Sequence, residues 1–222
     1  MQTQAVEDYL KTIYELQQEH GKVATTVLAE RMEVAPASVT GMIKKLASIH
    51  LVVHEPYQGV RLTEAGEKIA LEVIRHHRLI ELFLAEALGV PWDQVHAEAH
   101  RMEHVLSDQL AERIDAALGH PTTDPHGAPI PSRDGNIEQQ TCARLSDLKP
   151  GQAGVVAEVS DHDPALLRYL GGLELYPKAE VRVVAQAPFG GPLTIRVSEH
   201  EHVLGHEAAW HVFVTDISAG QE

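Results

Sequence analysis

The sequence predicts an α+β fold in three parts: an N-terminal winged helix-turn-helix, an all-helical block suited to dimerisation, and a small C-terminal β-barrel. Three observations carry this. Helical periodicity near the start runs into two short β-like segments, a long amphipathic helix and two shorter ones follow, and toward the end the pattern changes to short β-branched runs separated by turns. The parts divide at 1–63, 64–140 and 141–222, and a chain of 222 residues is long enough for each to bury a core of its own.

The elements follow in order. In VEDYLKTIYELQQ, residues 6–18, Val6, Leu10, Ile13 and Tyr14 form one apolar stripe of an amphipathic helix that Gly21 ends. Thr25 or Thr26 caps a short second helix reaching Met32, Val34-Ala35-Pro36 breaks it, and ASVTGMIKKLASI forms a third helix with Val39, Met42, Ile43 and Leu46 inward. Leu51–His54 and Val60–Thr63 are strand-like and are joined around Pro56 and Gly59, a hairpin that completes the winged helix-turn-helix. Thr63 with Glu64, Gly66 and Glu67 opens a long helix along Ile69, Val73, Ile80, Phe83 and Leu84, and Gly89 closes it. A helix from Pro91 to about Leu106, and one capped by Ser107 and ending at Gly119, complete the helical block. Residues 120–140, rich in Pro, Gly, Thr and Asp, read as a linker. Gly154–Val159, Glu180–Val184, Leu193–Val197 and His211–Val214 read as strands, with one helix near Pro164–Leu170.

Composition narrows the function. A net charge of -14 excludes a generic nucleic-acid coat. Residues 1–62, however, carry six basic against seven acidic groups, so any DNA-binding face belongs near the start. No run is long enough to cross a bilayer and the first residues lack a secretory pattern, which predicts a cytoplasmic protein without a membrane partner. The single cysteine, Cys142, excludes an intramolecular disulfide and any Cys-pair zinc site, so a metal would be held by nitrogen and oxygen.

Fifteen histidines, many at helical spacing beside carboxylates, point to metal. His96, His100, Glu103 and His104 fall within an arc of roughly 100° on one helix. His77 and Glu81 stand four apart on another. For any one pair a solvated polar face is the commoner explanation, but four donors on one stripe outweigh it. A rival reading takes His100-Arg101-Met102-Glu103-His104 as the H-x-x-E-H pattern of zinc peptidases, which leaves the DNA-binding module without a purpose. In the third helix Pro36, Ala37, Ser38, Thr40, Lys44 and Lys45 are candidates to meet bases and phosphates, and no acidic residue lies between Val34 and His54. Winged helices also serve as protein–protein modules or answer small molecules, and both alternatives stay open on this pattern.

The chain resembles the diphtheria toxin repressor family, manganese transport regulator type. The resemblance is carried by Asp8-Tyr9-Leu10 with Ile13-Tyr14, by Pro36-Ala37-Ser38-Val39-Thr40 with Lys45-Leu46, by Leu62-Thr63 with Gly66, and by His77-Arg78-Leu79 with Glu81. Val95-His96 and Glu98 through Glu103-His104 continue it. Leu148-Lys149-Pro150-Gly151, Leu167-Arg168-Tyr169-Leu170 and Pro188-Phe189-Gly190-Gly191-Pro192 resemble the SH3-like domain of ferrous-iron transport accessory proteins.

The resemblance implies a metal-dependent repressor of metal-uptake genes, not an enzyme, binding double-stranded palindromic operator DNA as a homodimer with no small-molecule substrate. It implies a primary metal site of Asp8, His100, Glu103 and His104, with His77 nearby. A second site would use His77, Glu81 and His96, completed either by Asp163, with Asp161 and His162 beside it, or by Asp124 and His126. His100 departs from the carboxylate usual in manganese regulators, and Lys11 stands where some have a Glu ligand. Oxygen and imidazole donors suit Mn²⁺, leave Fe²⁺ as the alternative, and allow Zn²⁺, Co²⁺ or Cd²⁺ to substitute in vitro.

Overall fold

The computed structural model describes residues 3–55, 59–138 and 141–219. They form two compact units: one of residues 1–77, 103–106 and 131–136, the other of 78–102, 107–130 and 137–222.

The first unit contains α1 (Gln4–His20), α2 (Thr25–Arg31), α3 (Pro36–Ser48), the antiparallel hairpin β1 (Val52–Glu55) and β2 (Gly59–Leu62), and the start of α4 (Glu64–Leu88). The stripes predicted for α1 and α3 are the buried ones. Val6, Leu10, Ile13, Leu28, Val39, Ile43, Leu46 and Val60 share one core, with Tyr14 and Met42 packed at its edge. Gly21 ends α1 in the left-handed region, its N–H bonded to the Gln17 carbonyl at 2.9 Å.

Neither threonine caps α2. Thr25 is already its first residue, and Ala24 precedes it without a side-chain cap. The start is set instead by Val23, which exchanges two backbone hydrogen bonds with Val60 and holds the entering chain extended. That pairing explains Gly59, since its φ is +105° and a Cβ there would lie 2.6 Å from the Val23 carbonyl oxygen. Pro56, the other predicted hairpin joint, lies outside the described residues. Thr63 opens α4, accepting the Gly66 N–H on its hydroxyl at 3.1 Å.

The second unit holds the rest of α4, then α5 (Val95–Met102) and α6 (Asp108–Ala117). A β domain follows: β3 (Ala143–Arg144), β4 (Ala153–Val159), α7 (Pro164–Gly172), β5 (Glu180–Gln186), β6 (Leu193–Val197), β7 (His200–Leu204), α8 (His206–Trp210) and β8 (Val212–Ser218). Its sheet runs β3-β8-β4-β5-β6-β7, with every pairing antiparallel. Leu145, Val156, Leu167, Leu170, Val183, Ile195, Leu204 and Val214 form its core. The sequence does not announce β7, because HEHVL pairs only with β6 and buries just Leu204, so it shows no apolar alternation.

Two expectations about this region are refined. The helix expected from Pro91 to about Leu106 is shorter at both ends: Trp92–Gln94 form a turn, and Glu103–Val105 form another, from which Glu103 and His104 reach partners on other elements. The expected linker, 120–140, contains no helix or strand among its described residues, yet it is packed, with Asp124, His126, Ala128 and Ile130 buried. Ser107 caps α6 as predicted, accepting from the Leu110 N–H at 3.3 Å. Among the described residues no helix is long and apolar enough to cross a membrane.

Two glycine substitutions should move stability in opposite directions. Gly59→Ala meets the Val23 carbonyl in a strained conformation and should cost about 1–3 kcal/mol. Gly41→Ala, in the exposed middle of α3 with nothing near its Cβ, should gain up to about 1 kcal/mol. Urea unfolding of the two variants checks both; equal effects would contradict the assigned roles.

Candidate metal centres

In the first unit α1 presents Glu7, Asp8 and Lys11 toward the turn that carries Glu103 and His104. His104 Nδ1 lies 2.7 Å from Glu7 Oε2, and Nε2 lies 2.8 Å from Asp8 Oδ1 and 3.3 Å from Glu103 Oε1. An ionised carboxylate only accepts hydrogen bonds, so in the neutral ring Nδ1 carries the hydrogen toward Glu7 and the Nε2 lone pair faces two more oxygens. Asp8 Oδ1 is buried and makes no hydrogen bond, so the atoms converge as acceptors. A proton or a cation between them would resolve the conflict.

Glu103 also has a second side. Its Oε2 accepts from Lys11 Nζ at 2.8 Å and pairs with His77 Nδ1. Burial opposes its charge, but His77 and Lys11 outweigh burial and hold the carboxyl down at about 2.

The second cluster lies within the second unit, where α4 supplies Glu81, α5 supplies His96, the turn at 124–128 supplies Asp124 and His126, and the segment after β4 supplies Asp161. Gly127, at φ +91°, seats that turn on β4, since a Cβ there would lie 1.9 Å from the Ala157 carbonyl oxygen. His96 Nδ1 sits 3.2 Å from Glu81 Oε1 and 3.0 Å from Asp161 Oδ2. Asp124 Oδ1 accepts the backbone N–H groups of His126 and Ala128 at 2.8 and 3.0 Å, leaving Oδ2 buried without a hydrogen bond.

His126 repeats the logic of His104. Its Nε2 lies 2.7 Å from the Trp92 carbonyl oxygen, which only accepts, so Nε2 carries the hydrogen. Nδ1, buried and without a hydrogen bond, then faces Glu81 Oε2 at 3.8 Å. An imidazole whose far N–H is held by a backbone carbonyl is a common way of aiming the other nitrogen at a metal. Burial resists charge on both rings, yet Asp161 and Glu81 push His96 up to about 10, and Glu81 with Asp124 pushes His126 up to about 9. Burial and the neighbouring Glu81 charge raise Asp124 to about 7.

The structure therefore brings Asp8, Glu103 and His104 together, with His77 on the far side of Glu103, and separately Glu81, His96, Asp124 and His126. His100 is exposed on α5, in the second unit. The carboxylate beside His96 is Asp161. Asp163, the expected ligand, instead caps α7, accepting the Ala165 N–H at 2.7 Å. Asp163-Pro164 is a helix-start signature, a signal that could have freed Asp161 for the site. Glu7, which orients His104, had no comparable signal. Glu103, the water-activating residue of an H-x-x-E-H peptidase, is engaged by Lys11 and His77 and stands in a turn, not on the helix with His100. Pro36, Ala37, Ser38, Thr40, Lys44 and Lys45 are all exposed on α3, with the Thr40 hydroxyl donating to the Pro36 carbonyl at 3.0 Å.

A winged helix-turn-helix on one chain with buried imidazole–carboxylate clusters defines a class: metal-responsive DNA-binding proteins. Comparison with known proteins gives the family. Residues 1–60 match the profile of the iron dependent repressor N-terminal DNA binding domain, 63–132 that of the iron dependent repressor metal binding and dimerisation domain, and 143–216 that of the FeoA domain. The iron-dependent repressor IdeR of Mycobacterium tuberculosis is 34% identical over 224 residues, covering 95% of this chain and 96% of that protein. The diphtheria toxin repressor of Corynebacterium diphtheriae is 36% identical over 128 residues, 58% of this chain and 57% of that protein. Among solved structures, a manganese-dependent transcriptional repressor in complex with manganese superposes with a TM-score of 0.89 at 40% identity, covering 94% of this chain and 98% of that one. ScaR with bound Cd²⁺ gives 0.82 at 33% identity, covering 95% and 98%. The chain belongs to the iron-dependent repressor family of metal-dependent DNA-binding transcriptional regulators, with a C-terminal SH3-like domain of the FeoA kind.

The raised groups of the second cluster fix a pH dependence. Each favours the folded state while protonated, so the contributions of His96 and His126 are complete below the ordinary imidazole value of 6.5 and are lost as pH rises through about 9 and 10. Asp124 acts in the same direction, losing its contribution as pH rises from 3.8 through about 7. Calorimetry of chelator-treated protein should show a melting temperature that falls between about pH 6.5 and 10; a flat or rising profile would contradict it.

Proposed function

We propose that this protein is a repressor activated by a divalent cation, with Mn²⁺ as the preferred ion and Fe²⁺ as the alternative, that acts in the cytoplasm on palindromic operator DNA as a homodimer. The convergence of Asp8, Glu103 and His104 as mutually facing acceptors carries this reading. We take His100 as a further ligand from its place in the family motif and Glu81 with its neighbours as a second metal-binding region. Cys142 belongs to none of the donor groups among the described residues, so only oxygen and imidazole ligands are on offer. Such donors suit Mn²⁺, while Zn²⁺ binds comparable sites more tightly, so the choice in the cell follows coordination and availability. The manganese complex of one relative and the Cd²⁺ and Zn²⁺ complexes of ScaR support this range.

When bound, the cation supplies the positive charge that lets the carboxylates and imidazole share one point. The chain's residues do the rest. Asp8 rides on α1, which packs in one core with α3, so anchoring Asp8 to the Glu103–His104 turn restrains the body that carries the DNA-reading helix. Lys11 already neutralises Glu103 Oε2, which leaves this cluster room for one ion. In a dimer the restraint would hold two recognition helices at half-sites about 34 Å apart. Segments 1–63, 64–140 and 141–222 then act as DNA reader, metal-binding and dimerising part, and SH3-like domain.

Fluorescence anisotropy with a palindromic duplex across a metal series tests the function. Binding should require Mn²⁺ or Fe²⁺ and vanish with chelator, and Asp8→Ala should lose the metal response while keeping its circular dichroism. Equal DNA binding after chelation would point instead to a regulator driven by another ligand.

A further inference from the structure

We propose that the second unit holds two divalent cations, with Glu81 giving one carboxylate oxygen to each; this rests on reading that region as metal-binding. The donors fall into two sets, Glu81 with His96 and Asp161, and Glu81 with Asp124 and His126, and within each the ligand atoms lie within 4.8 Å of one another. Glu81 is the member they share. Its oxygens face different rings, Oε1 toward His96 Nδ1 at 3.2 Å and Oε2 toward His126 Nδ1 at 3.8 Å.

The two halves present separate donors. With an ion only between Glu81, His96 and Asp161, the other half keeps two buried acceptors, Asp124 Oδ2 and His126 Nδ1, that make no hydrogen bond. The turn gives neither atom another partner. Asp124 Oδ1 is taken by two backbone N–H groups and His126 Nε2 is held by Trp92, so the remaining acceptors are aimed and fixed. Arg78 Nε approaches Asp124 Oδ2 only to 3.7 Å, beyond hydrogen-bond length. With an ion only on the Asp124–His126 side, the carboxylates of Glu81 and Asp161 still share the single Nδ1 of His96, at 3.2 and 3.0 Å. Two ions complete both halves. The charge permits this: Glu81, Asp124, Asp161 and the neighbouring Glu158 are four carboxylates, against the guanidinium groups of Arg78 and, beside Glu158, Arg144. A carboxylate bridging two cations through separate oxygens is ordinary chemistry for two-metal sites.

The test counts ions in the full-length chain carrying Asp8→Ala and His104→Ala, which removes the first cluster. After chelation and equilibrium dialysis against Mn²⁺, bound metal measured by mass spectrometry should be two equivalents. Adding His96→Ala or His126→Ala should leave one each. The electron paramagnetic resonance spectrum of the two-ion form should be broadened by coupling and sharpen in either of these variants. One equivalent in the parent would overturn the shared-carboxylate proposal alone. None would overturn the metal-binding reading of the second unit as well. Should the variants not fold, the unmodified chain still decides, three equivalents supporting the proposal and two opposing it.

Discussion

Lone pairs that face lone pairs govern both clusters. His104 and His126 each direct one ring nitrogen at a group that can only accept, the Glu7 carboxylate and the Trp92 carbonyl, and so turn the other toward carboxylate oxygens. Buried acceptors at such separations repel unless something positive lies between them, and a proton or a divalent cation are the choices available. In the second cluster, where His96 and His126 are pushed up to about 10 and 9, a cation would have to displace protons from the rings, so its hold there would weaken as pH falls.

The clusters differ in how much of that positive charge the protein itself provides. In the first, Lys11 and His77 take one oxygen of Glu103 and leave the other for His104 and Asp8. In the second, Arg78 approaches Asp124 without a hydrogen bond, and Glu81 stands between two imidazoles. A resident ammonium occupies one carboxylate oxygen of the first cluster, whereas in the second Asp124 Oδ2 is buried without a hydrogen bond. Each cluster also depends on backbone placed by ordinary folding rules, the end of α5 at Met102 for the first and the Gly127 turn for the second. The placement of these donors depends on where helices stop as much as on which residues they contain.

Much of this was legible in the sequence, because most of it depends on periodicity and caps. The stripe of Leu10 and Ile13, the inward face of α3 and the Ser107 cap are local patterns that the core confirms. What was not legible depends on contacts distant in sequence. Val23 sets the start of α2 by pairing with Val60, so threonine capping was a reasonable local inference overridden by a strand bridge. Glu103 and His104 stand in the turn beyond α5 and meet α1, a contact distant in sequence that helical periodicity could not show. Asp124 illustrates a different limit. A turn that bonds its own backbone and a carboxylate aimed at a site are rival readings of the sequence, but the structure satisfies both, one oxygen for each.

The central claim, that fixed acceptors demand a cation, is read most directly on the ring nitrogens of His126. Nitrogen NMR of the full-length protein with isotope-labelled histidine, saturated with Cd²⁺ as a diamagnetic probe, should show Nε2 still protonated and Nδ1 without a proton but coupled to cadmium. A Cd²⁺-saturated protein in which His126 Nδ1 keeps its proton would contradict the account.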